Sequence, residues 1–231
     1  MAMPTITTIH SLFTVRTMAL QSLIYSSIWA TTTLLVRHLG PSTKLAPVFM
    51  KYHNRIYSFA SFLLLLLILH PQHDALARTV YHLSKFYEYL DILSVTAAGG
   101  SVGLHFGFHH LTTPWLTFVR VLPSPASGSE GWRWFAAANA AHHALMYAYF
   151  GGWQGVRGVL LWTGELQLVV GMVVDAMVVW RRLMSGEGVE SVWRFVVSGG
   201  LLGCYFALNR REMGMRAEEE GKRGDKGGKE T

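Results

Sequence analysis

The sequence predicts an all-α fold: a polytopic membrane protein of about seven transmembrane helices. Three observations carry this. Of 231 residues, 51% are hydrophobic and 15% are charged, and the mean hydropathy is +0.27, which is too apolar for an ordinary soluble domain. The apolar residues recur in stretches near the length that crosses bilayer hydrocarbon, rather than forming one anchor. Trp132, Trp134, Trp153, Trp180 and Trp193 fall near the ends of such stretches, as an interfacial aromatic belt would.

The spans follow in order. Residues 18–36 are rich in Ser and Thr and carry no charge. Residues 56–70 centre on a leucine run at 63–67, and Pro71 stops them. Residues 75–98 are the least hydrophobic. Residues 101–121 hold three histidines, and spans at 132–150, 158–180 and 192–208 complete the set. Residues 122–131 read as a plain Pro/Ser/Gly loop. The membrane domain is therefore 18–208. Residues 1–17 form an N-terminal segment expected in the lumen, and 209–231 a charged tail expected to be disordered and cytosolic. Arg37, Lys44, Lys51 and Arg55 then fall on the cytosolic side, as the positive-inside rule asks. Arg181 and Arg182 fall on the luminal side, against it. The N-terminus lacks the layout of a signal peptide, so the first span is expected to stay inserted. The net charge of +6 sits largely in the tail and short loops, which favours membrane topology over nucleic-acid binding. One cysteine, Cys204, excludes an internal disulfide and a cysteine-based zinc site. The chain has no internal repeat.

Polar residues inside the spans mark the chemistry. In Leu104-His-Phe-Gly-Phe-His-His-Leu-Thr-Thr-Pro-Trp115, His105 and His109 are one helical turn apart and share a face, with His110 offset beside them. Imidazoles in an apolar helix cost free energy unless they pair, bind a metal or react. Lys85, Glu88 and Asp91 recur every three residues. Lys85 can pair with Glu88, whereas Glu88 and Asp91 repel unless a cation or shared proton lies between them. A structural ion pair near the interface is the plain alternative. Asn139, His143 and Tyr147 lie on one face at i, i+4 and i+8, where Asn can fix an imidazole tautomer and Tyr can donate to its other nitrogen. His142 points elsewhere, and a packed or interfacial role suffices for it. Glu165, Gln167 and Asp175 are buried polar groups that need partners; interhelical hydrogen bonds alone would account for the first two.

These residues resemble the boxes of the ELO family of very-long-chain fatty-acid elongases. Lys85-Phe-Tyr-Glu88-Tyr-Leu-Asp91 is similar to its KxxExxD box. His109-His110-Leu-Thr112-Thr-Pro114-Trp115 resembles the end of its histidine box. Asn139-Ala-Ala-His142-His143-Ala-Leu-Met146-Tyr147-Ala-Tyr149 resembles its N-x-x-x-H-x-x-M-Y-x-Y box, and Leu166-Gln167-Leu168 its glutamine box. The resemblance runs in order over about residues 51–175. The family's box is H-x-x-H-H. Its first histidine falls on Phe106 here, with His105 one place earlier; a local π-bulge would swing His105 inward.

The resemblance implies six spans enclosing an acyl tunnel closed at its luminal end, in the endoplasmic reticulum membrane, with the C-terminus cytosolic. It implies condensation of an acyl-CoA with malonyl-CoA to a 3-ketoacyl-CoA, with loss of CO2 and CoA, and requires neither cofactor nor metal. A neutral imidazole is a competent nucleophile, so His109 is expected to hold the acyl group as an acyl-imidazole. His143, oriented by Asn139, would move protons or polarise the malonyl group; His110 and His105 would stabilise the oxyanion or the site geometry. Lys85, Glu88, Asp91, Tyr147 and Gln167 would support them. Lys44, Lys51 or Arg157 would meet the CoA. Implied partners are the ketoacyl reductase, dehydratase and enoyl reductase of the elongation cycle, and self-association is also compatible. Two other readings compete. One is a non-catalytic relative that binds acyl-CoA or an elongase partner. The other is a di-iron desaturase or hydroxylase, for which His105-x-x-x-His109-His110 has suitable spacing. That chemistry needs further histidine boxes, whereas His10, His38, His53, His70, His73 and His82 are scattered.

Overall fold

A computed structural model describes residues 13–122 and 130–227. Most of the expected 1–17 segment and of the 122–131 loop, the end of the tail, and His10 lie outside the described residues. The described chain is all-helical, with no strand: α1 Val15–Leu39, α2 Leu45–Leu69, α3 Asp74–Tyr87, α4 Tyr89–Ala97, α5 Leu104–Arg120, α6 Trp132–Phe150, α7 Arg157–Met184 and α8 Trp193–Gly227. Val15–Leu39, Leu45–Leu69 and Gln154–Met184 are long and apolar enough to cross a membrane by length and composition. The chain is thus an all-α polytopic membrane protein.

The helices close into a ring. α2 packs on α6, α6 on α7, α7 on α8 and α8 on α5, and the α3–α4 pair links α5 back to α2. α1 lies outside, against α4 and α5, and buries only Met18 and Tyr25. The core of the ring gathers Ile68, Tyr81, Leu116, Trp132, Phe135, Leu168, Leu202 and Tyr205.

Four boundaries differ from the sequence reading, each for a physical reason. α2 begins eleven residues before the expected 56, because Lys51, His53, Asn54 and Arg55 interrupt its hydropathy. His53 and Asn54 nevertheless point inward and are buried. The span at 75–98 is two helices that break at Glu88, where the winding tightens and Asp91 N–H donates to Glu88 O at 3.1 Å. α5 is regular from Leu104 to Arg120, with no π-bulge at His105. α8 does not stop at Leu208 but continues to Gly227. Arg210, Arg211 and Glu212 are good helix formers, and leaving the apolar layer does not end a helix. Glu212, expected in a disordered tail, accepts from His105 N–H at 2.7 Å and caps α5.

The end of the ring opposite that cap is closed by buried charge. Arg120, fully buried, donates from Nε to Asp175 Oδ1 at 2.6 Å and from Nη2 to Glu130 O at 2.6 Å. Arg182 donates to Glu130 Oε1 at 2.8 Å and to Ser191 O at 2.9 Å. Its charge is compensated by the buried Glu130. Arg78 donates to Asp74 Oδ2 at 2.6 Å and to Val121 O at 2.7 Å, and stacks on Trp132 at 4.5 Å. Trp132 is therefore a core residue, 1% exposed, while Trp134, Trp153, Trp180 and Trp193 stay on the surface as expected. Asp175→Ala removes the carboxylate bonded to Arg120 and leaves only Glu130 Oε2, 4.0 Å away, as counter-charge. We expect a loss of about 3–5 kcal/mol, read as a lower Tm in detergent; an unchanged Tm would mean that the pair does not hold α5 to α7.

Candidate active site

The break between α3 and α4 organises the site. Glu88 is fully buried and its Oε1 receives three donors: Lys85 Nζ at 2.6 Å, the Tyr57 hydroxyl at 3.0 Å and His143 Nδ1 at 3.2 Å. Its backbone carbonyl accepts from His110 Nδ1 at 2.9 Å. One residue thus holds two imidazoles from different helices, α5 and α6, each by Nδ1. Both bonds require the ring to carry hydrogen on Nδ1. Nε2 is then the basic nitrogen in each neutral ring.

Asp91, one turn further along α4, serves a second group. It pairs with His53 Nε2 at 2.7 Å and accepts a short hydrogen bond from the Tyr147 hydroxyl. His110 Nδ1 lies 3.9 Å from the oxygen that Tyr147 bonds, Oδ2. The two carboxylates that the sequence sets in conflict are thus separated by the helix break, and each has its own donors. His53 also meets the Tyr87 hydroxyl at 3.2 Å.

Asn139 does not orient His143. Its Oδ1 accepts from Lys85 Nζ at 2.7 Å and from Tyr81 at 3.0 Å, and its Nδ2 donates to Gln167 Oε1 at 2.7 Å. Its capacity goes to Lys85 and to joining α6 with α7, so Glu88 sets the His143 tautomer instead. Tyr147 likewise donates to Asp91 rather than to His143. His142 turns away to Thr163 Oγ1 at 2.9 Å, and Glu165 faces α8, pairing with Arg210 at 2.9 Å.

His109 stands apart from its neighbours. Its Nδ1 is buried and has no hydrogen-bond partner. Its ring lies 4.7 Å from that of Tyr205, 5.4 Å from His110 and 5.7 Å from His105. His105 reaches the cluster through that ring contact, at the first turn of α5. Phe106 sits edge-on to His110 at 4.6 Å, where it packs against the imidazole without offering it a proton or a lone pair. The second glutamate oxygen, Glu88 Oε2, is also buried without a partner.

A narrow cavity of about 10 Å³, room for one water, lies beside this cluster inside the ring. Lys85, His109, Asn139 and Gln167 line its polar end; Leu116, Phe135, Leu168 and Leu202 line its apolar end. Among the described residues, Glu88, His109 and His143 are the one group whose atoms lie close enough, within 4.8 Å, to ligate a metal. Lys85 bonds one oxygen of that carboxylate, and an ammonium there repels a second cation. The group falls short of the several histidine boxes that a di-iron site needs.

Residues 71–209 match the family model described as ELO: GNS1/SUR4 family. The chain belongs to the ELO family. Membership ties it to fatty-acid elongation in the membrane. No curated protein and no solved structure matches the chain. The ELO match holds Lys85, Glu88, Asp91, all the clustered histidines of α5 and α6, and Tyr205. His53 and Tyr57 lie before it. Sequence reasoning missed His53 because it began the second span at 56, and it counted Tyr57, inside that span, only for its apolar character. Their i, i+4 spacing on α2 is the signal that would have found them.

Proposed function

We propose that this ELO protein is a condensing enzyme of fatty-acid elongation, joining an acyl-CoA to malonyl-CoA and releasing CO2 and CoA with a 3-ketoacyl-CoA two carbons longer. The observation that carries the reading is His109. Among the described histidines of α5 and α6 it alone has a buried ring nitrogen with no hydrogen-bond partner, and it lines a cavity beside both polar and apolar residues. In the first half-reaction a ring nitrogen attacks the thioester carbonyl. The C–N bond forms, the C–S bond breaks, CoA leaves as the thiol, and the acyl group rests on His109. In the second, malonyl-CoA loses CO2, and the resulting carbanion attacks the acyl carbonyl. The C–C bond forms, the C–N bond breaks, and His109 is released. One proton is consumed overall, to protonate the departing thiolate.

His143 and His110 act around this centre through Nε2, as proton carriers or donors to the oxyanion. Their Nδ1 bonds to Glu88 hold that nitrogen in place. Lys85 balances Glu88, and Asp91 with His53 and Tyr147 steadies the second side. The acyl chain enters the apolar end, where each buried methylene contributes roughly 0.8 kcal/mol. Exposed Lys44, Lys51 and Arg157 are the bases for the CoA phosphates. This reading sets the protein in the endoplasmic reticulum membrane with its C-terminus in the cytosol, beside the reductases and dehydratase that complete the cycle.

The test is incorporation of labelled malonyl-CoA by purified protein across acyl-CoAs of increasing length. We expect labelled 3-ketoacyl-CoA, with one CO2 released per product. Folded protein that incorporates nothing at any length would leave a non-catalytic acyl-CoA-binding relative as the better account, with Phe106 the first residue to revert to His.

A further inference from the structure

Two side chains that line the cavity pack where a third is missing. Gly171 lies on α7 three residues after Leu168, buried in the helix interior. A Cβ built there would meet Leu202 Cδ1 at 2.7 Å and Phe135 Cδ2 at 2.9 Å, far inside carbon–carbon contact. Both of those side chains line the cavity. The backbone at 171 does not need glycine, because its φ is not positive and its helix is regular. A helical glycine even costs about 1 kcal/mol relative to alanine. What the glycine provides is room for Phe135 of α6 and Leu202 of α8 to lie back against α7.

Any side chain at 171 must move them. Both residues are buried in the core, 5% and 1% exposed, and the cavity that both line is space open to them.

We propose that Gly171, acting through Phe135 and Leu202, sets the longest acyl chain the site accepts. This rests on the condensing reading above. Gly171 is a positioning residue, so the informative quantity is the ratio of kcat/KM for the longest accepted acyl-CoA to that for a short one. Gly171→Ala is expected to lower the ratio by roughly tenfold or more, the cost of a pocket a methylene or two too short. Leu202→Ala, which makes room, should move the limit at least one two-carbon step the other way, and in the Gly171→Ala background it should restore the ratio. A general structural defect would lower both rates together and leave the ratio alone. A ratio unchanged in all three variants overturns the proposal. If Gly171→Ala does not fold, Leu202→Ala decides alone: a longer limit supports the proposal and an unchanged one overturns it. A folded wild type that condenses nothing overturns the condensing reading itself, which an active wild type with a fixed ratio does not.

Discussion

His109→Ala is expected to lower condensation by roughly 10³–10⁶-fold, the range for removing a nucleophile whose partners have no substitute for it. His110 and His143 cannot take over without giving up geometry, because each has its Nδ1 tied to Glu88. The alanine variant should remain folded, since His109 Nδ1 makes no hydrogen bond that the fold would lose. The sharper measurement is a quench of the wild type with acyl-CoA alone. Labelled acyl should remain bound to wild-type protein, with one CoA released per site, and not to the variant. Full activity in His109→Ala, or acyl trapping that survives in it, would move the nucleophile elsewhere in the cluster.

Lys85→Met is expected to be strongly destabilising. Lys85 and Glu88 are both buried, their contact is 2.6 Å, and the substitution leaves a carboxylate in the ring without its cation. The cost of stranding one partner of a buried pair is about 3–5 kcal/mol. Lys85→Met/Glu88→Gln removes the stranded charge and should recover most of the lost Tm. It should not recover condensation, because a neutral amide is a weaker acceptor for His143 Nδ1 than a carboxylate. If the double variant is no more stable than Lys85→Met, the ion pair is not what Lys85 contributes. If it regains full activity, the Glu88 charge plays no part in holding His143.

Much of the site was legible before any coordinates, for identifiable reasons. Lys85 and Glu88 are three apart on one helix, a local spacing that brings their side chains together wherever the helix sits. The i, i+4 relation of His105 and His109 likewise shows as a ring contact of 5.7 Å. Partners drawn from different helices were not legible. Asn139 shares a face with His143, as its spacing says, yet bonds Lys85 and Gln167 instead. A hydrogen bond goes to whichever group tertiary packing brings within reach, and periodicity is silent about neighbouring helices. His53 was passed over because its surroundings in sequence are polar, although its surroundings in space are Asp91, Tyr87 and Tyr147.

The sequence by itself determined that the chain is a helical membrane protein, that its polar residues concentrate on a few spans, and that those spans carry ELO boxes. All of that follows from composition, from 3.6-residue periodicity and from motif spacing, which are properties of short windows. Only the tertiary structure decided how the helices close into a ring. It put the break at Glu88 and gave that residue two histidines, left His109 with an unpartnered nitrogen beside a cavity, and made Gly171 the point where three helices press together. Each of those depends on contacts between residues far apart in the chain, 55 positions for both His143 with Glu88 and Asp175 with Arg120. Such pairings are fixed by packing density and by the need to satisfy buried charge, which no window of sequence contains.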